Sequence, residues 1–159
     1  MLRRGAHIQE VIAIDHVAQH DGLLMAGRRI LVVDDSREIA FLIEDILCDD
    51  GAEVRTAHSG SEAMALLGGE EFDVLLLDLT MPKPNGWDVL EFIRKTIPNM
   101  LGRTAVLTGM CYDREVAEAL QDKGITHLFK PFQVDSLRKT VCGLLSRAEL
   151  PLSAQSKEY

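Results

Sequence analysis

Cysteine is scarce in this chain: its 159 residues hold three, at positions 48, 111 and 142. They are odd in number, far apart and in no CxxC pair, so no disulfide framework or paired-thiol metal site is in view, and a reduced, cytoplasmic protein is expected. Cys48 and Cys142 fall in helical patterns and are expected to pack inside; Cys111 falls in a loop. Positive charge is also short, with 17 Lys and Arg against 25 Asp and Glu and a net charge of −8. Binding to a phosphate backbone relies on clustered Lys and Arg, so nucleic acid is not expected as a partner. No apolar run approaches the roughly 18 residues of a membrane span, so no membrane is expected either. A secretory leader is missing as well: MLRRGAHIQEVIAIDHV starts basic but soon carries Glu10 and Asp15, with no clean apolar stretch. What remains is a hydrophobic content of 47%, ordinary for a chain with a full core. The length suits one domain of roughly 100–200 residues.

From residue 29 onward short apolar runs alternate with amphipathic segments, five times over. Ile30 to Val33 reads as a buried strand, followed by helical spacing at Ile39, Leu42, Ile43, Ile46 and Leu47 and a stop at Gly51. Ala52 to Ala57 is a second strand, and Ser59 caps a helix ending at Gly68 and Gly69. Val74 to Leu77 is apolar on both faces, which suits a parallel sheet covered on both sides. After the loop MPKPNG come a helix from Trp87 to Ile97, a strand at 105–107, a helix at 114–123 stopped by Gly124, and a strand at 126–129. A last helix places Val134, Leu137, Val141, Leu144 and Leu145 on one face. Alternating strand and helix implies right-handed crossovers and a doubly wound sheet. Residues 28–148 form this domain, 149–159 read as a tail, and 1–27 stand outside the repeat as an extension, helical or dispensable. MAGRRILVVDD opens the first strand directly, so Met25 is an alternative start. His16 and His20 could share a helical face as metal ligands do, but without a third ligand they read as a solvated face.

Five chemistry-bearing residues fall at strand ends: Asp34 and Asp35, Asp78, Thr108 and Lys130. In an open parallel sheet, ligands bind outside the carboxyl ends of the strands, so these residues should converge. Like charges at ~4 Å and an effective dielectric of about 20 repel by about 4 kcal/mol, so clustered carboxylates raise a pKa or take a cation. An all-oxygen set working on phosphate favours magnesium. Lys130, from the opposite edge, and the Thr108 hydroxyl would then face phosphoryl oxygens. Asp34 and Asp35 are adjacent and placed to position the metal. Asp78 stands between them and Lys130 and is assigned as the nucleophile that forms an aspartyl phosphate. Met81, Pro82 and Trp87 are read as structural, Phe129 and Phe132 as core, and Asp49, Asp50, Glu70 and Glu71 as solvated.

With VVDDS at 32–36, LLLDLTMPKPNG at 75–86, LTG at 107–109 and FKPF at 129–132 in order, the chain resembles the receiver domain of two-component response regulators. It is similar to the stand-alone type over residues 29–147, and D-x-x-M-P-x-x-x-G is filled by Asp78, Met81, Pro82 and Gly86. The resemblance implies a flavodoxin-like five-stranded parallel sheet in the order 2-1-3-4-5 with helices on both faces. It implies that Asp78 accepts a phosphoryl group from a sensor histidine kinase or a histidine phosphotransfer protein. Magnesium would be held by Asp35, Asp78 and the backbone carbonyl of Thr80, with Asp34 acting through water. Thr108 and Lys130 would contact the phosphoryl group, and the Lys130–Pro131 bond would be cis. Thr108 and the residue at position 127 would form the switch. Output would pass to an unknown protein target by contact or by onward phosphotransfer, with a homodimer left open. The protein would be no enzyme beyond its own phosphoryl transfer and autodephosphorylation.

Three departures stand out. His127 occupies the place of the usual switch Tyr or Phe. Thr80 and Met110 border the approach of the hydrolytic water, where a polar–acidic pair would orient it. The acidic pair of the winged-helix class is absent before the fifth-strand aromatic, where Thr126 and His127 stand. Two other classes share part of this pattern. A magnesium-dependent haloacid-dehalogenase-like phosphohydrolase needs a second Asp two residues past the nucleophile, where Thr80 stands. A phosphorylation-independent interaction module would not need the complete site.

Overall fold

The structure is a computed structural model, and it describes residues 24–109 and 114–148. Five strands, β1 (Arg29–Val33), β2 (Glu53–Ala57), β3 (Val74–Asp78), β4 (Thr104–Thr108) and β5 (Thr126–Phe129), alternate with five helices. The helices are α1 (Arg37–Asp49), α2 (Gly60–Gly69), α3 (Gly86–Thr96), α4 (Arg114–Asp122) and α5 (Val134–Ala148). All strand pairs are parallel and the order is β2-β1-β3-β4-β5, as the alternation and the resemblance imply. A 3₁₀ turn over Pro98–Arg103 precedes β4. The sequence reading contains no such element, because six residues hold too little periodicity to signal one.

The two-residue period of the central strands divides the core in two. Leu31, Val33, Leu75, Leu77 and Val106 face α2, α3 and α4, where Ala63, Leu67, Val89, Ile93 and Leu120 meet them. Ile30, Val32, Val74, Leu76, Ala105 and Leu107 face α1 and α5, against Ala40, Ile43, Leu47, Leu137 and Val141. Three of the helices start where the sequence supplies a side-chain cap. Ser36 and Ser59 accept from Ile39 and Glu62, and Asn85 with Asp88 forms a reciprocal capping box on α3.

Several packing expectations change. Leu42 is exposed, and Ala40 takes the inner position on α1 with Ile43 and Leu47, because the stripe that meets the sheet is narrower than the apolar set. Cys142 is buried but Cys48 is exposed, one helical position past the buried Leu47. Val134 is exposed at the start of α5. Phe129 and Phe132 are half-buried near the sheet edge. Glu70 and Asp50 are paired, not simply solvated: Glu70 bridges Arg29 and Arg55, and Asp50 grips Arg138 through two hydrogen bonds of 2.6 and 3.0 Å, tying α1 to α5. Met25, assigned above to the extension, is fully buried in the α1–α5 half of the core. His16 and His20, Cys111, Met110 and the tail from 149 lie outside the described residues.

Candidate functional site

Two strands, β1 and β3, deliver three carboxylates to one end of the sheet. Asp34 follows β1, with its backbone N–H on the Ala57 carbonyl at 3.1 Å, and is fully buried. Asp35 is the next residue and is exposed. Asp78 ends β3 at 4% exposure. One carboxylate oxygen from each of the three lies within 4.8 Å of the others. Short local hydrogen bonds fix two of the side chains: Ser36 N–H donates to Asp34 Oδ1 at 2.9 Å, and Thr80 N–H donates to Asp78 Oδ1 at 2.9 Å. Both contacts join an aspartate to the N–H two residues on, an Asx turn that neither strand nor helix periodicity announces.

Lys130 comes in from the end of β5. Its backbone N–H donates to the Thr108 carbonyl at 2.7 Å, which locks the two residues together. The ammonium lies 2.5 Å from Asp34 Oδ2 and 3.5 Å from Asp78 Oδ2. Lys130 therefore does not stand only opposite the acidic pair, as the sequence suggests. It reaches across Asp78 to Asp34, since a buried carboxylate draws the nearest cation. The Lys130–Pro131 bond is cis, and so is Lys83–Pro84, which was not foreseen.

Burial pushes the Asp78 carboxyl above the ordinary carboxylate range, with Asp34 and Asp35 adding to the rise; the Thr80 N–H and Lys130 pull against it. One ammonium against three carboxylates leaves an excess of negative charge in a site made of oxygen donors. That chemistry fits a hard divalent cation such as magnesium.

Thr108 is buried at the end of β4, and its backbone pairs with Phe129 in register. His127 sits two residues earlier on β5, half-buried, with its ring edge-on to Phe129 at 5.0 Å between centroids. Thr80 is exposed beside Asp78. Met81 is buried in the core, as a structural role requires, and Trp87 packs against the same cluster.

The description of the response regulator receiver domain matches residues 30–142. The chain belongs to that family. It is 34% identical over 130 residues to the transcriptional regulatory protein CpxR of Klebsiella pneumoniae, covering 82% of this chain and 54% of CpxR. It thus spans about half the length of that relative. Against the chemotaxis protein CheY of Thermotoga maritima it is 33% identical over 118 residues, covering 71% of this chain and 97% of CheY. Among solved structures, a CheY-like receiver domain protein of Methanospirillum hungatei superposes with a TM-score of 0.71 at 28% identity, covering 78% of this chain and 98% of that one.

Two glycines of this receiver domain are required by close approach. A Cβ on Gly86 would stand 2.4 Å from the Asp78 carbonyl oxygen, and one on Gly60 would stand 2.1 Å from the Pro84 carbonyl oxygen. The first is the glycine of the D-x-x-M-P-x-x-x-G pattern, and this contact is its physical reason. The second joins two segments distant in sequence, which no local pattern signals; the Thr80 and Ser36 N–H contacts are local but follow neither a helix nor a strand period.

Proposed function

We propose that this receiver domain is a phosphorylation-switched response regulator module whose Asp78 takes a phosphoryl group from a phosphohistidine on a sensor kinase or phosphotransfer protein. The observation that carries this reading is the Lys130 ammonium spanning Asp34 and Asp78 within a three-carboxylate cluster. In the transfer, a carboxylate oxygen of Asp78 forms a bond to phosphorus as the donor's nitrogen–phosphorus bond breaks, and the imidazole leaves with the electron pair. Asp35, Asp78 and the Thr80 carbonyl would hold magnesium, with Asp34 behind a water. When bound, the metal supplies charge neutralisation for the phosphoryl oxygens.

The chain's own groups do the remaining work. Asp78 is held by the Thr80 N–H, so the nucleophile is oriented before the donor arrives. Lys130, 3.5 Å from Asp78, is placed to move from Asp34 towards a phosphoryl oxygen and share its charge. The Thr108 hydroxyl would follow the same group, and the ring of His127 would answer that movement as the switch. The module turns over no external substrate beyond its own phosphorylation and dephosphorylation, and its output is contact with a protein target or onward transfer. Cys48 and Cys142 stand in no disulfide, which fits a cytoplasmic setting.

The phosphohydrolase alternative is disfavoured by the exposed Thr80 where a general acid would be needed. Incubation with acetyl phosphate and magnesium should add one base-labile phosphoryl group to the parent and none to Asp78→Asn. Equal uptake by Asp78→Asn would remove Asp78 from this role.

A further inference from the structure

The corner between β2 and α2 touches both loops of the acidic site, yet contributes none of its carboxylates. His58 Nδ1 lies 3.2 Å from the backbone oxygen of Asp34. A carbonyl can only accept, so Nδ1 carries the hydrogen. This carbonyl belongs to the peptide that joins Asp34 to Asp35, and the preceding N–H of Asp34 is already held by Ala57 at 3.1 Å. The backbone of Asp34 is therefore held at its N–H by Ala57, the last residue of β2, and at the carbonyl that leads into Asp35 by His58, the residue after it. Asp35 is the exposed carboxylate of the three, so backbone hydrogen bonds, more than packing, must set its position.

The corner itself is stiff. Ser59 Oγ accepts from Glu62 N–H at 3.1 Å, and the Glu62 carboxylate accepts from His58 N–H at 2.8 Å, a capping arrangement that fixes the backbone of His58. Two residues past His58, Gly60 meets the Pro84 carbonyl so closely that no side chain fits between them. Pro84 lies in the loop from Asp78 to Gly86. One rigid corner thus abuts the Asp34–Asp35 turn and the Asp78 loop together.

We propose that His58 is a positioning residue for divalent cation binding: its Nδ1–H holds the Asp34–Asp35 peptide so that the Asp35 carboxylate meets the cation alongside Asp78. The inference rests on the magnesium reading above and deepens it. Outer hydrogen bonds that orient ligands commonly govern metal affinity by about 10- to 100-fold.

The test uses two polar substitutions of one partly exposed residue in the full chain. In His58→Asn the side-chain amide nitrogen can occupy the place of Nδ1 and keep the donor; in His58→Gln the amide is carried one methylene further and cannot. Manganese binding, followed by loss of the free-ion paramagnetic signal with magnesium as competitor, gives the affinity, and melting in chelator gives the metal-free stability. We expect His58→Asn to bind within about twofold of the parent and His58→Gln about tenfold more weakly, with the metal-free melting temperatures alike. Parental affinity in His58→Gln, or an equal loss in both variants, overturns the positioning role while leaving the metal site standing. A parent that binds neither ion overturns the metal site itself and this inference with it.

Discussion

Asp78 shows how a single residue can be tuned against stability. Its carboxyl is pushed above its ordinary value of 3.8 by burial, with its two acidic neighbours adding to the effect. The folded state therefore holds the proton more tightly than the unfolded chain does. The stabilising effect of that proton is complete below the unfolded pKa and is lost as pH rises through the folded one. At neutral pH in chelator, the charged Asp78 works against folding. Asp78→Asn should accordingly raise stability by about 1 kcal/mol at pH 7, and the gain should shrink as pH is lowered towards 4. Urea melts of both proteins at the two pH values check this, and a variant less stable than the parent at pH 7 contradicts it. Gly86 belongs to the same scale. A methyl group at this position meets the Asp78 carbonyl at 2.4 Å, which backbone must yield to accommodate. Gly86→Ala should lose about 1–3 kcal/mol and slow phosphorylation together, since the atom displaced belongs to Asp78, the proposed nucleophile. A variant with full stability would show that the loop relaxes freely.

Among the elements, α3 offers a clean electrostatic experiment. Glu91 receives Arg94 at 2.7 and 2.8 Å and Lys95 at 3.1 Å, one turn along the same helix face. Hydrogen bonds from Arg94 and Lys95 lower its carboxyl to about 2. A depressed folded pKa contributes stability above the unfolded value of 4.5 that is lost as pH falls through about 2. The group is fully exposed, so salt should screen the effect and its size should be small. Glu91→Gln should melt slightly lower than the parent at pH 7 in dilute buffer. The difference should close in 1 M salt or near pH 2, and a gap that persists in both conditions would mean that packing, not charge, was lost.

The whole molecule reaches further back than its strand–helix repeat. Met25 is fully buried against the α1–α5 half of the core, its carbonyl accepts the Arg28 N–H at 3.0 Å, and Gly27 N–H reaches the Gly51 carbonyl at 3.0 Å. A chain lacking residues 1–23 should melt with the parent, whereas one lacking 1–27 should lose about 2–5 kcal/mol, the cost of emptying a buried methionine site. Calorimetric melting of the two shortened chains decides this; equal melting temperatures would place Met25 outside the cooperative core.

The sheet order and the convergence of Asp34, Asp35, Asp78, Thr108 and Lys130 were legible without coordinates, because both follow from local periodicity and from the rule that parallel strands end on one side. Apolar alternation in β1 and β3 assigns each side chain to a face, and these five residues stand at or just past strand ends. Strands, main helices, the family and the strand-end placement of the acidic cluster and Lys130 can thus be read from the amino-acid order alone, while the 3₁₀ turn cannot. What only the tertiary structure decided were contacts between segments with no periodic relation. These are the His58 ring on the Asp34 carbonyl, Gly60 against Pro84, the reach of Lys130 to Asp34, the exposure of Leu42 and Cys48 and the burial of Met25. Periodicity reports which way a side chain points along its own element. It carries no information about which neighbour fills the space it points into, and that depends on how the packed elements meet.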